Sequence, residues 1–339
     1  MVASADASPR ADAPAAVGRW RAPTPLELER ARDSRARLPD FFIVGHPKSG
    51  TTALYEMLRE HPQIYMPQLK EPFYLSRELH PDLDSSRHPD TLEQYLDLFA
   101  PAAPGQLAGE ASSSYLRSPH AAERIAKLQP AARIVAILRE PASFLRSVHL
   151  ELLQDHLETE KDFRRAIERE QLHAREKPVL RYSEDRVRYA EQLRRYHALF
   201  GPEQVLVLIY DDFREDNAAT VRSVLRFLGV DQDYEVPSSD GNPTVQVRSP
   251  RMYELVRSVS LGEGRAGRTL SAAIKAVSSR RLRRVALRAL RTRVLLGSPA
   301  PAEHELMLEL RRRFKPYVQE AAQYLDRDLL ALWGYESID

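Results

Sequence analysis

The clearest pattern along the chain is an apolar run that ends in a polar, glycine-containing loop. Phe41–Val44 is short, apolar and partly β-branched, which predicts a strand buried on both faces. The loop GHPKSG follows at 45–50, and its glycines permit a tight turn and close approach of backbone N–H groups to a ligand. Thr51 and Thr52 then open a segment with apolar residues at helical spacing, which ends before Pro62. This order predicts a site for a phosphate-like anion at the helix N-terminus.

Two further apolar runs predict parallel strands of the same sheet. Ile134–Leu138 is followed by Arg139 and by Pro141, a residue that is tolerated in the first turn of a helix. Val205–Tyr210 is followed by an amphipathic pattern over Asn217–Gly229 that ends in glycine. Strands that alternate with helices predict an α/β fold, in which a parallel sheet is flanked by helices and the ligand lies at the carboxyl ends of the strands.

Composition restricts the class of protein. The 339 residues suffice for one large α/β domain, and the formal net charge of +2 gives no general attraction to nucleic acid. The chain has no cysteine, which excludes disulfides, thiol catalysis and cysteine-ligated metals. Neither a membrane-spanning apolar run nor a signal-peptide core is evident, so we expect a soluble, cytoplasmic protein.

Two segments differ from this pattern. Residues 1–22 are rich in Ala, Pro, Ser and Asp and are predicted to be a disordered tail, which leaves 23–339 for the domain. Residues 264–302 contain ten basic and no acidic residues, so the rest of the chain carries 40 basic and 48 acidic residues, a net of −8. We predict a basic helical insertion over 258–302. It could contact a membrane surface through 264–295, cover an anionic acceptor, or pack on the domain with a solvated basic face.

The loop at 45–50 is not a Walker A motif, because that motif places lysine directly after its second glycine. Here Thr51 occupies that position, and the lysine is Lys48. The sequence PKSGTT at 47–52 closely resembles the 5′-phosphosulfate loop of sulfotransferases, which use 3′-phosphoadenosine 5′-phosphosulfate (PAPS). The resemblance implies a phosphosulfate site formed by Lys48, Ser49, Gly50, Thr51 and Thr52. It also implies a catalytic role for Lys48, which would stabilise the charge that develops on the leaving phosphate.

A second signature lies at 139–147, where REPASFLRS resembles the sulfotransferase 3′-phosphate motif R-[DN]-P-x-x-R-x-x-S. The resemblance implies that Arg139 and Ser147 bind the 3′-phosphate, since a guanidinium can hold a phosphate at two points and a hydroxyl can donate once more. Two positions depart from the motif: Glu140 replaces Asp or Asn, and Phe144 replaces the inner arginine.

The stretch Lys70–Leu75, KEPFYL, resembles the K/N-E-x-F/H-F stretch of glycosaminoglycan-type and many bacterial sulfotransferases. The resemblance implies that Glu71 is the catalytic base, although a surface Lys–Glu pair at a turn remains the alternative. Aromatic neighbours desolvate a carboxylate, so we expect a raised pKa for Glu71. Glu110 is a second candidate for the base and equally a structural carboxylate at a turn. Ala111 stands where the glycosaminoglycan enzymes have a lysine.

These motifs together resemble the PAPS-dependent sulfotransferase family, with a P-loop-like sheet in a single domain. The resemblance implies in-line transfer of a sulfuryl group from PAPS to a hydroxyl, or an amine, of a small-molecule, glycan or lipid acceptor. Glu71 would remove the acceptor proton, and no metal is needed because Lys48 supplies the positive charge. Two other functions stay open: a kinase-like phosphotransferase, which would need magnesium, and a non-catalytic binder that docks through its basic segment.

Overall fold

A five-stranded parallel sheet in the order β2-β3-β1-β4-β5 forms the centre of the molecule. The computed structural model describes residues 20–34, 36–81, 83–155, 157–174, 180–234, 246–247, 296–297 and 303–338. The strands of the sheet are β1 (Phe41–Gly45), β2 (Ile64–Tyr65), β3 (Leu107–Ala111), β4 (Arg133–Leu138) and β5 (Val205–Ile209). The predicted α/β fold with a parallel sheet is confirmed.

The strand β1 lies in the middle of the sheet, between β3 and β4. Phe41 is paired with Gly109 on one side and with Arg133 on the other. A Cβ atom on Gly109 would lie only 2.2 Å from Cζ of Phe41, so the glycine makes room for the phenyl ring. Because all the strands run in parallel, the carboxyl ends of β1, β3, β4 and β5 meet at one edge.

Helices cover both faces of the sheet. In chain order the helices are α1 (Pro25–Arg32), α2 (Thr51–Arg59), α3 (Leu92–Asp97), α4 (Ala121–Leu128), α5 (Pro141–Gln154), α6 (Phe163–Leu172), α7 (Tyr189–His197), α8 (Tyr210–Glu215), α9 (Asn217–Leu228), α10 (His304–Leu325) and α11 (Leu329–Trp333). Phe41 and Ile43 of β1 face a buried cluster with α2 and α9. Phe42 and Val44 face the opposite cluster with α4, α7, α10 and α11. Alternate side chains of β1 therefore enter two separate cores.

The last two helices hold the carboxyl edge of the sheet. The long helix α10 packs on α5 through a third cluster that includes Leu145, Ile167 and Phe314. At the end of α11, the indole Nε1 of Trp333 donates a hydrogen bond of 3.0 Å to Oδ2 of Asp211 in α8. The end of the chain thereby fixes the segments that follow β4 and β5.

The amino-terminal boundary of the fold lies earlier than the sequence predicts. Trp20 packs against the core cluster, and Nη1 of Arg21 donates a hydrogen bond of 2.9 Å to Glu27. The described residues therefore begin with Trp20, three residues before the predicted start of the domain at 23, and its indole buries apolar surface against the core. Residues 1–19 lie outside the described residues.

Most of the predicted insertion, 258–302, and the predicted membrane-contact segment, 264–295, also lie outside the described residues. Leu296–Gly297 forms the short strand β7, which pairs antiparallel with β6 (Gln246–Val247). At these two residues the helical prediction is wrong, because main-chain pairing with a distant segment replaces the local helix. None of the described helices combines the length and the apolar character needed to cross a bilayer.

Candidate functional site

The loop 46–50 joins β1 to α2 at the carboxyl edge of the sheet. Gly50 has φ of 84°, and a Cβ atom there would lie 2.8 Å from the ring of Phe213, so a glycine is required. Gly50 caps α2 without a side-chain hydrogen bond. The first N–H groups of α2, beginning at Thr51 and Thr52, therefore lack a side-chain acceptor, as expected of a helix end that binds an anion. Ser49 in this loop is fully buried.

Lys48 projects from this loop and forms an ion pair with a residue that the sequence did not indicate. Its Nζ lies 2.9 Å from Oε1 of Glu151, and both side chains are partly exposed. Glu151 lies one helical turn after Ser147 on α5, and this spacing is the feature of the sequence that could have indicated Glu151 as a site residue. An ion pair this exposed contributes about 0–1 kcal/mol, so a more highly charged ligand can replace Glu151 at the ammonium group.

Arg139 follows β4 and contacts the Lys48 loop directly. Its Nη1 donates a hydrogen bond of 2.6 Å to the carbonyl oxygen of Lys48. The guanidinium lies 4.7 Å from the ring centre of Tyr210, and the Tyr189 hydroxyl donates to the carbonyl of Arg139 at 2.8 Å. Burial lowers the pKa of Arg139, which remains a cation at neutral pH. The two predicted phosphate-binding motifs therefore meet at one place.

The first part of α5 carries the remaining residues of the second motif. Ser147 is 2% exposed, and its hydroxyl has no hydrogen-bond partner among the described residues. A buried hydroxyl without a partner fits an oxygen of a bound ligand. Glu140 caps the helix, because its carboxylate accepts hydrogen bonds from the N–H groups of Ala142 and Ser143 at 3.0 and 2.7 Å. The hydroxyl of Tyr335 donates to the same carboxylate at 2.5 Å.

Glu71 lies in space next to the carboxyl end of β3. Its backbone N–H donates a hydrogen bond of 3.0 Å to the carbonyl oxygen of Ala111, the last residue of that strand. Its Oε1 accepts hydrogen bonds from Nζ of Lys70 at 2.8 Å and from the hydroxyl of Ser113 at 2.7 Å. Burial acts to raise the pKa of Glu71, but the Lys70 ammonium and the Ser113 hydroxyl outweigh it, and the pKa lies below its usual range. The expectation of a raised pKa is therefore wrong, because both partners stabilise the ionised form.

Glu110 on β3 has the opposite electrostatic environment. Its side chain is 1% exposed, and Oε2 accepts a hydrogen bond of 3.0 Å from the hydroxyl of Tyr95. Burial raises the pKa of Glu110 to about 7, and the negative charge of Glu71 acts in the same direction. A carboxyl group this enclosed is poorly placed to meet an acceptor.

The predicted site residues share one edge of the sheet. Lys48 and Glu71 each have φ of 61°, a conformation that non-glycine residues rarely adopt and that costs about 1–3 kcal/mol. Ser113, whose hydroxyl binds Glu71, lies against the start of the loop that carries Lys48. A Cβ atom on Gly45 would lie 2.9 Å from the carbonyl oxygen of Ser113. Among the described residues, no group of three potential ligands could hold a metal ion.

Comparisons with known proteins place this architecture in a family. The model of the sulfotransferase domain matches residues 38–240, which is more than half of the chain. Carbohydrate sulfotransferase 15 of Mus musculus is 27% identical over 268 residues, which cover 63% of this chain and 46% of that protein. Bifunctional heparan sulfate N-deacetylase/N-sulfotransferase 4 of Mus musculus is 30% identical over 226 residues, which cover 62% of this chain and 25% of that protein. The chain thus spans less than half the length of these two curated relatives.

A solved structure extends the similarity to most of the fold. The sulfotransferase from Alicyclobacillus acidocaldarius is 26% identical, has a TM-score of 0.63, and covers 88% of this chain and 99% of its own. The chain belongs to the sulfotransferase domain family.

Proposed function

We propose that this protein transfers a sulfuryl group from PAPS to a hydroxyl or amino group of a glycan acceptor. The observation that supports this most strongly is the hydrogen bond from Arg139 to the carbonyl of Lys48. It brings the two phosphate-binding motifs into direct contact, so that one nucleotide with two phosphate-bearing ends could reach both. A kinase-like site would instead combine its phosphate loop with acidic ligands for magnesium.

The donor side of the site supplies positive charge and N–H donors. The uncapped first turn of α2 directly follows the loop that carries Lys48, so both could bind the same anion. They would stabilise the negative charge that gathers on the departing phosphate as sulfur is transferred. Arg139 and the unpartnered hydroxyl of Ser147 would hold the 3′-phosphate, which distinguishes PAPS from ATP.

Glu71 is the proposed general base. Because its pKa is lowered, it is ionised at neutral pH and ready to accept a proton. The acceptor oxygen or nitrogen would lose its proton to Glu71 and attack sulfur in line with the leaving phosphate. Ser113 and Lys70 orient the carboxylate of Glu71. The main contribution of the protein is then to position the donor and the acceptor for the reaction.

The glycan acceptor is inferred from the relatives. Their names identify carbohydrate and heparan sulfate as substrates, and this chain shares their domain over more than half of its length. A glycan offers both hydroxyl and amino groups, so either product class is consistent with the proposed chemistry.

Calorimetric binding of 3′-phosphoadenosine 5′-phosphate tests the donor assignment. We expect magnesium-independent binding to the wild type, and at least roughly tenfold weaker binding to Arg139→Ala, because a charge-assisted contact is lost. Arg214→Ala is the matched control, since that side chain is 69% exposed and, among the described residues, pairs with Asp211 at 3.5 Å.

ATP and ADP, with and without magnesium, provide the second arm. Stronger binding of ATP with magnesium than of the 3′-phosphorylated nucleotide would favour the kinase-like function. Equal loss of affinity in Arg139→Ala and Arg214→Ala would show that the guanidinium of Arg139 does not bind the 3′-phosphate.

A further inference from the structure

The carboxylate of Glu151 holds the ammonium of Lys48 from a distant part of the chain. Nζ of Lys48 lies 2.9 Å from Oε1 of Glu151, although 103 residues separate the two in sequence. Glu151 belongs to α5 and lies four residues after Ser147, so the two side chains share one face of that helix. The helix that carries the hydroxyl predicted to bind the 3′-phosphate therefore also brings a negative charge to the phosphosulfate loop.

Lys48 is held at its main chain as well as at its side chain. Its carbonyl oxygen accepts the 2.6 Å hydrogen bond from Nη1 of Arg139, and its φ of 61° sets the direction in which the Cα–Cβ bond leaves the loop. The ion pair with Glu151 then fixes the far end of the side chain. A lysine side chain has many rotamers, so this pairing selects one direction for the ammonium before a ligand meets it.

The same pairing opposes an anionic ligand. An ammonium group has three N–H donors that diverge tetrahedrally, so a phosphate that shares the group with Glu151 brings two negative oxygens to about 5 Å from each other. A phosphate that displaces Glu151 breaks the ion pair instead. In both cases Glu151 weakens the binding of the phosphate, by repulsion or by competition. Both side chains are partly exposed, so solvent screening keeps the effect small.

The hold of Lys48 on the nucleotide becomes a disadvantage once sulfur has been transferred. The bond between sulfur and the bridging oxygen breaks, and this oxygen keeps the electron pair. The sulfuryl group takes its own charge to the acceptor, while the 5′-phosphate that remains carries a charge of about −1.5 to −2. Strong attraction between this phosphate and Lys48 would retain the spent nucleotide, and product release limits the rate of many enzymes.

We propose that Glu151 is a positioning residue of the donor site, which directs the ammonium of Lys48 and weakens its hold on the 5′-phosphate, so that the nucleotide product dissociates faster. Glu151 lies outside both phosphate-binding motifs, and its contact with Lys48 is what assigns it this role. The inference rests on the proposed sulfuryl transfer from PAPS.

Two nucleotides that differ only in the 5′-phosphate test this role without an acceptor. The full chain is titrated calorimetrically with 3′-phosphoadenosine 5′-phosphate and with adenosine 3′-monophosphate, at a constant and low ionic strength. We expect Glu151→Gln to bind the first nucleotide about three- to fivefold more tightly than the wild type, as for the loss of a partly exposed charge. Its affinity for the second should stay within about 1.5-fold, because that nucleotide has no phosphate for Lys48.

Further variants separate charge from shape. Glu151→Ala removes the same charge and should give the same result, whereas Glu151→Asp keeps the charge and should stay within about twofold of the wild type. Glu123→Gln is the matched control, since Glu123 on α4 pairs with Lys127 at 3.9 Å and is 62% exposed. It should leave both affinities unchanged.

The dissociation rate of 3′-phosphoadenosine 5′-phosphate, measured by stopped-flow displacement, should fall in Glu151→Gln by the same factor as the dissociation constant. Unchanged or weaker binding of this nucleotide to Glu151→Gln and Glu151→Ala would overturn the inference. Equal tightening for both nucleotides would also overturn it, because the effect would then not act on the 5′-phosphate. If the wild type binds neither nucleotide, the proposed function is wrong and this role of Glu151 falls with it.

Discussion

The turn that carries Glu71 and the strand that carries Glu110 are neighbours, yet they change the acidity of a carboxyl group in opposite directions. Glu71 lies against a lysine and a serine hydroxyl, and its pKa is lowered. Glu110 is buried and accepts a hydrogen bond from the Tyr95 hydroxyl, and burial raises its pKa to about 7. The comparison shows that the specific partners of a carboxylate, and not burial alone, decide its state at neutral pH.

This difference also separates two roles that the sequence left open. An ionised carboxylate near the Lys48 loop can accept a proton from an acceptor, whereas an enclosed carboxyl group near neutrality affects mainly the stability of the sheet. Three substitutions test that separation.

The largest effect is expected for Glu71→Gln. Removal of the general base should lower kcat by roughly 10²–10⁴-fold with any glycan that the wild type sulfates, and leave the affinity for the nucleotide product unchanged. Formation of that product in a coupled assay measures the rate. Glu110→Gln serves as the comparison and should lose less than about tenfold. A larger loss in Glu110→Gln than in Glu71→Gln would reverse the assignment of the base.

Glu110→Gln should instead change the pH dependence of stability. The pKa of Glu110 is about 7 in the folded chain and has its usual value of 4.5 in the unfolded chain. Between these two pH values the folded chain keeps a proton on Glu110 that the unfolded chain has lost. The free energy of unfolding of the wild type therefore falls as pH rises through this window, by about 3 kcal/mol from this group. The variant lacks this term and gains stability relative to the wild type between pH 4.5 and 7.

Urea unfolding at pH 4.5 and 7.5 measures the difference. Glu71→Gln should show the opposite sign in a lower pH range, because the lowered pKa of Glu71 stabilises the folded chain above pH 4.5, the usual pKa, and that stability is lost as pH falls below it. Unfolding measured also at about pH 3.5 would cover that range. Parallel pH profiles for the two variants would mean that the two environments are alike.

The smallest effect is expected for Lys70→Met. Without the ammonium, burial is no longer outweighed, so the pKa of Glu71 rises and the acid limb of the pH–rate profile moves to higher pH. At pH 5 we expect roughly threefold lower kcat relative to the wild type, with near-equal rates at pH 8. Lys70→Arg keeps the charge and should keep the wild-type profile. An unchanged limb in Lys70→Met would exclude Lys70 as the partner that sets the acidity.

Much of the fold could be predicted from the sequence because the central strands are continuous apolar runs. Phe41–Gly45 and Arg133–Leu138 lie within one residue of the runs from which they were predicted. The edge strand Ile64–Tyr65 was missed, since two residues are too few to show a period.

The site was harder to predict than the fold, because the residues that contact one another in it are distant in sequence. Glu151 is 103 residues from Lys48, and Ser113 is 42 residues from Glu71. A local pattern contains no information on such contacts, and without Ser113 the sequence suggested the wrong direction for the pKa of Glu71. The roles predicted for Lys48, Arg139, Ser147 and Glu71 stay predictions until the measurements above are made.

The hydrogen bond between Trp333 and Asp211 has a practical consequence for spectroscopy. The indole ring lies 6.5 Å from the ring of Tyr189, whose hydroxyl binds the carbonyl of Arg139. A rearrangement of Arg139 around a nucleotide would therefore alter the surroundings of a natural fluorophore. Trp20 is the other tryptophan in the chain, so Trp20→Phe would isolate the emission of Trp333. Stopped-flow fluorescence of that variant would then time the arrival of the nucleotide without an attached dye.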